Sequence, residues 1–375
     1  MRYGSRLIVQ LDLLEYNYRE IKKHFPDQQV LFMVKADAYG HDLVPISRFA
    51  HLELGIKEFG TASLGEALKL REELPKEAFD IYVFSDIQVD LELHRDVYLN
   101  RRIIPVLTNF NDLEIILNSS DFKYFPLCLK FNTGMNRLGF FYDKVQEVID
   151  LLKKKGRHEI EHLMTHYSSS SLSMSGNKRN TEQAQRFQEI KEMITQQGIT
   201  IKKTSIANSG SIEQNSGHSE THIRPGLIMY GPSSLLPKMR EDSLVQTKVI
   251  SQLESYVIDV FPITKGTPIG YGATPCPDNG QIVIMALGYG DGFSTNYQNV
   301  QFEINGVMGK IVGRVNMDMS QVLVPSDLKI KRGDPIIVWN HERDSLARFC
   351  EQTNTIPYEV LCRITPRVPR IYQLK

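Results

Sequence analysis

Cysteine is scarce and scattered: Cys128, Cys276, Cys350 and Cys362 form no CxxC pair and no disulfide framework. Three of them sit in apolar or strand-like contexts, where a free thiol acts as a small hydrophobe. A reducing, cytoplasmic location is expected, and no metal site. No apolar run approaches the roughly 18 residues that a membrane span requires, so no membrane partner is expected. Residues 1–5 lead straight into the strand-like run 7–13 and lack the apolar core of a signal peptide. An excess of charge of one sign is also missing, because 44 Lys plus Arg balance 44 Asp plus Glu. That balance argues against a strongly basic surface, and no nucleic-acid partner is expected. No GxGxxG follows the first strand, which argues against an open dinucleotide-binding sheet.

What is present is an ordinary globular composition, 41% hydrophobic and 23% charged over 375 residues. Up to about residue 235 short apolar runs alternate with segments of helical period. Strands are expected at 29–35 (QVLFMVK), 59–63, 80–84, 103–107, 126–131, 160–166, 204–207 and 227–230. Helices are expected at 42–52, 64–74, 143–155 and 181–197. Such alternation means parallel βα units, and about eight of them predict a closed (β/α)8 TIM-type barrel. After about residue 236 the texture changes to short strands punctuated by Gly-containing turns, as in Asn305-Gly306 and Arg332-Gly333-Asp334. The expected organisation is a strand at 1–11 packing with a later β domain, a barrel over 12–235 and a mostly β domain over 236–375.

Lys35 closes a very apolar strand, at the end where barrels present catalytic groups. A desolvated lysine gives up its proton more readily and can form a Schiff base. Taken alone, it reads as a lysine snorkelling from a strand end to water. It does not stand alone, because Val34-Lys-Ala-Asp-Ala-Tyr-Gly-His41 is followed by further blocks in order. These include Leu129-Lys-Phe-Asn-Thr-Gly-Met-Asn-Arg-Leu-Gly139, Ala207-Asn-Ser209 and Ile223-Arg-Pro-Gly-Leu-Ile-Met-Tyr-Gly231. Gly270-Tyr-Gly-Ala-Thr274, Val312-Gly-Arg-Val-Asn-Met-Asp318 and Arg367-Val-Pro-Arg370 follow in the β domain. In order and spacing these blocks resemble those of the alanine racemase family over essentially the whole chain.

The resemblance implies an isomerase that interconverts L- and D-alanine, a peptidoglycan precursor in its D form, as a homodimer with shared active sites. It implies pyridoxal 5'-phosphate held by Lys35, with Tyr39, Asn208, Ser209, Arg224, Gly226 and Leu227 around it. Lys35 and Tyr271 would serve as two bases on opposite faces of the substrate Cα, and His166 would hydrogen-bond Tyr271. Arg224 would face the pyridine nitrogen and, being unable to give up a proton readily, would leave it unprotonated. Arg137 would bind the substrate carboxylate, with Lys130 as a carbamylated lysine orienting it. Met317 and Asp318, like Tyr271, would reach the substrate site of the other subunit.

Three positions depart from the family pattern. Ser171 and Asn132 stand where aspartate is common, and Pro366 stands where a tyrosine usually touches the cofactor phosphate and crowds the substrate side chain. A racemase of broader or different amino-acid specificity is therefore the alternative reading. A decarboxylase of similar architecture is disfavoured by Arg224, and a non-catalytic cofactor-binding barrel by the β domain.

Overall fold

The computed structural model describes residues 4–86 and 89–374. Eight parallel strands form the first unit: Gln29–Met33, Glu58–Thr61, Asp80–Val83, Ile103–Leu107, Cys128–Asn132, Glu159–Met164, Thr200–Ser205 and His222–Ile223. Each pairs with the next, and His222–Ile223 returns to Gln29–Met33, so the sheet closes on itself. Strands such as Ile103–Leu107 are buried along their whole length, as a barrel wall between side-chain layers and outer helices must be.

The helices follow their local signals. Ser63, Asp90, Asn109 and Asn177 each accept backbone N–H groups from the first turn that they cap. Val145–Lys154 buries Val145, Val148, Ile149 and Leu152, one stripe at helical spacing.

One expected strand is corrected. Residues 227–230 form a helical turn, Leu227–Tyr230, and the eighth strand is His222–Ile223. Pro225 has no N–H to continue the ladder, and four apolar residues are too few for periodicity to separate strand from helix. The first strand also stops earlier, at Met33, so Lys35 lies just past its end.

The second unit is built on Ser251–Ile263, a 13-residue strand. It pairs with Arg6–Gln10, Pro335–Trp339 and Gly280–Met285, and the sheet continues through Ser320–Val324, Val307–Ile311 and Gln301–Ile304. Arg6–Gln10 lies between Ser251–Ile263 and Arg370–Gln373. Two helices not expected from the sequence, Ser345–Gln352 and Pro357–Arg363, pack beside this sheet. The spacing of Leu346, Ala347, Phe349 and Cys350 is helical, yet the segment is only 8 residues long.

Helix Pro357–Arg363 lies against the turn that follows Lys35, and the approach is close. Gly40 has φ +81, and a Cβ there would lie 2.1 Å from the Leu361 carbonyl oxygen. Gly40→Ala therefore combines a left-handed backbone with a clash against main chain, and should lower unfolding stability by at least about 2 kcal/mol in urea titration. An unchanged midpoint would contradict this packing.

Candidate active site

Lys35 sits where the barrel opens, and the chain behind it turns in an unusual way. Ala36, Asp37, Ala38 and Tyr39 have φ between 52 and 54, a left-handed turn without a glycine among them. L-residues pay about 1–2 kcal/mol each for this conformation. Several contacts hold it. Asp37 N–H donates to Glu66 Oε1 at 3.3 Å and Leu43 N–H to Asp37 Oδ1 at 3.1 Å. His41 bridges the Ala38 carbonyl and Ser251 Oγ, at 3.0 and 2.9 Å. Arg370 donates to the Gly40 carbonyl and Tyr372 to the His41 carbonyl, each at 2.9 Å.

The turn seats Tyr39 against Gly226. Its ring packs 4.8 Å from that of Tyr230, whose hydroxyl donates to the Met33 carbonyl. A Cβ on Gly226 would stand 2.3 Å from the Tyr39 hydroxyl oxygen, so only glycine fits there. Ser209 Oγ accepts from the N–H groups of Gly226 and Ile228, at 3.1 and 3.3 Å. Leu227, fully buried, opens the helical turn beside them. Tyr39, Ser209, Gly226 and Leu227 thus form one cradle of hydroxyls and backbone N–H groups.

Further cations gather within the field of Lys35. Arg224 is 3% exposed and Lys130 6%. Arg224 donates to Ser205 Oγ and the Thr165 carbonyl, and its Nη2 lies 3.2 Å from His166 Nδ1. Among the described residues, none of Lys35, Lys130, Arg137 and Arg224 has a carboxylate within ion-pair distance. Burial, followed by the field of Arg137, lowers the Lys35 amine below its usual range. Lys130 is pushed down to about 8 by burial and then by Arg224, Arg137 and Lys35. Burial alone brings Arg224 down to about 10.

His166 lies two residues past the strand Glu159–Met164. Its ring nitrogens face Arg224 Nη2 and Asn208 Nδ2, both donors, at 3.2 Å each. An imidazolium would set two N–H groups against them, so the ring is neutral. Burial and the cations around it hold its pKa well below the ordinary value. Asn208 is spent on protein groups: it caps Ser209–Glu213, accepts from Ser170 Oγ at 2.7 Å and donates to the Tyr167 carbonyl at 3.1 Å. Asn132 organises the next loop, its Oδ1 accepting from Gly134 and Asn136 N–H.

Arg137 is exposed in that loop and shares the field of Lys35 and Lys130. Tyr271, Met317 and Asp318 are not brought to this mouth by their own chain. Tyr271 rides the tip of a hairpin, Pro268–Ile269 with Thr274–Pro275, and is 72% exposed. Met317 is exposed too, and Asp318 pairs with Arg367 at 2.8 Å.

Gln183 was not singled out by sequence reasoning. Its Nε2 donates to the His166 carbonyl at 2.9 Å, and its Oε1 accepts from Ser168 N–H and Oγ–H. The signal was a polar residue on the buried stripe Asn180, Gln183, Phe187, Ile190 and Ile194.

Residues 9–234 match the family model for the alanine racemase N-terminal domain, and residues 250–372 that for the alanine racemase C-terminal domain. The chain belongs to the alanine racemase family. It is an enzyme, an isomerase. It is 30% identical to an alanine racemase of Clostridium kluyveri, over 97% of this chain and 93% of that one. It is equally identical to one of Methanococcus maripaludis, over 97% of both. Among solved structures, alanine racemase from Acinetobacter baumannii matches with a TM-score of 0.84 at 27% identity, over 100% of both chains. The enzyme from Bacillus anthracis with bound L-Ala-P matches at 0.86 and 26%, over 100% of this chain and 96% of that one.

The depressed Lys130 amine has a measurable consequence. An unfolded lysine holds its proton to about pH 10.4. Between about pH 8 and that value the unfolded chain binds more protons than the native one, so stability rises with pH. Urea midpoints of the cofactor-free protein should increase from pH 7.5 to pH 9.5, and Lys130→Met should flatten the rise. An equal slope in both proteins would show that Lys130 is not depressed.

Proposed function

We propose that the chain racemises alanine with pyridoxal 5'-phosphate held at Lys35. The observation that carries this reading is the cluster of four cations, Lys130 and Arg224 buried among them, with no carboxylate at ion-pair distance among the described residues. Leaving such charges uncompensated is costly, so the site calls for an anionic occupant. A phosphorylated cofactor and a substrate carboxylate supply that charge, and the cradle of Tyr39, Ser209, Gly226 and Leu227 fits the phosphate. Lys35, with its lowered pKa, would hold the cofactor covalently, and Arg224 would face the pyridine nitrogen. When bound, the cofactor supplies an electron sink that weakens the substrate Cα–H bond.

The protein groups do the rest. Lys35 Nζ takes or returns the proton on one face of Cα. Tyr271 serves the other face, and its exposed hairpin tip points to a homodimer in which each hairpin enters the neighbouring mouth. Met317, exposed on the same unit, travels with it. Neutral His166, its Nδ1 accepting from Arg224, carries its one proton on Nε2 and would donate it to the Tyr271 oxygen. Arg137 orients the substrate carboxylate, and Lys130, able to lose its proton near neutrality, takes up carbon dioxide as a carbamate that steadies Arg137. D-alanine produced in the cytoplasm would feed peptidoglycan.

A second reading, racemisation of a larger amino acid, has its own observation. Ala36, Cys362, Thr365 and Pro366 line a cavity of about 610 Å³ next to the Lys35 turn.

Two measurements test these readings. Over a panel of L-amino acids in D2O, Cα exchange with inversion should be fastest for alanine and absent in Lys35→Ala. A faster larger substrate would favour the second reading, and no exchange at all would remove both. Lys35→Ala and Tyr271→Phe should each be inactive, yet reassociated mixtures should regain up to about a quarter of wild-type activity, since mixed dimers rebuild one complete site. No recovery on mixing would rule out shared sites.

A further inference from the structure

Below the mouth, inside the barrel, lies a polar pair that the reaction described above does not use. Arg224 Nη1 donates to Ser205 Oγ, and Ser205 Oγ lies 2.8 Å from His162 Nε2. Ser205 and His162 come from the adjacent strands Thr200–Ser205 and Glu159–Met164, and both are 0% exposed. The guanidinium already donates to the serine oxygen, so the serine proton goes to His162 Nε2. The remaining proton of His162 is then on Nδ1, which is buried and without a hydrogen-bond partner. The ring is wedged between Tyr82, edge-on at 5.6 Å, and His222 at 5.1 Å.

A leucine or phenylalanine would fill that space with no orphaned N–H. An imidazole that carries one is a poor choice for packing, and the choice makes sense if its other nitrogen has a task. Accepting the serine proton polarises Ser205 and makes its oxygen a stronger acceptor for Arg224. The other guanidinium arm is bound to the Thr165 carbonyl. Both Nη groups are therefore anchored in the barrel wall, and among the described residues Nε–H meets no acceptor.

We propose that His162 and Ser205 are positioning residues which lock the Nη edge of Arg224 so that its Nε–H edge faces the cofactor ring nitrogen. The inference rests on the reading that Arg224 faces that nitrogen. By fixing a donor there, the pair keeps the ring nitrogen unprotonated. Looser, the guanidinium admits water and lets the nitrogen take a proton.

The test uses holoenzyme reconstituted with cofactor labelled with 15N at the ring nitrogen. In His162→Leu, the 15N resonance should move toward the protonated position and alanine kcat should fall about tenfold, as removal of outer supports commonly does, with KM nearly unchanged. The urea midpoint should stay about level, because the orphaned N–H is exchanged for a serine O–H that has lost its acceptor. Ser205→Ala should shift the resonance the same way, and His162→Gln, whose amide oxygen can accept from Ser205, should restore it. A wild-type resonance and kcat in both His162→Leu and Ser205→Ala would overturn the proposal. So would losses of activity that merely track a lowered midpoint. Arg224→Lys separates the two levels: if it leaves the resonance unmoved, the placement of Arg224 at the ring fails, and this inference with it.

Discussion

Everything at the mouth of this barrel depends on a backbone turn that the chain would not adopt unaided. Residues 36–39 are left-handed, with no glycine to ease them. The turn sets the direction of Lys35 on one side and seats Tyr39 against Gly226 on the other. Its restraints come from outside itself: Glu66 from the barrel, Ser251 from the long strand, Arg370 and Tyr372 from the last strand. Strain at a reactive group is commonly stored in this way, with the surrounding structure over-determining the geometry. The β domain is thus a structural part of the barrel's active site and more than an appendage to it.

The second organising term is charge. Four cations meet at one opening, and burial lowers the pKa of three of them. Burial, with the same repulsion, holds the Lys35 amine below its usual range. That repulsion also means that an anionic occupant stabilises the native state beyond its contacts, since it binds only the folded arrangement. Neutral groups, namely His166, Asn208 and Ser205, fill the gaps between the cations and fix their directions without cancelling their charge.

Much of this was legible in the sequence, for identifiable reasons. The barrel announced itself through apolar runs alternating with helical periods, and Lys35 through a block of eight residues around it. The turn at 36–39 was not legible, because glycine is the usual mark of positive φ and none is present there. Residues 227–230 were read as a strand because an apolar tetrapeptide carries no period. Gln183, Ser205 and His162 went unnoticed since their roles come from strand register, which pairs His162 with Lys203 and Met164 with Ser205. Tyr271 could be recognised from its block but not placed, because a single chain leaves its hairpin in solvent.

The strand Arg6–Gln10 adds a consequence in the order of assembly. Its neighbours are residues 251–254 on one side and 370–373 on the other. It emerges from the ribosome long before either, and contacts of such sequence separation form slowly. The barrel region can collapse around its own strands while the tail is still being made. The clamp from Arg370 and Tyr372 cannot act until those residues have been made. The nascent barrel therefore carries Lys35 on a turn held only by its barrel contacts, and the full set of restraints arrives with the strand Arg370–Gln373 rather than with the fold that houses the turn.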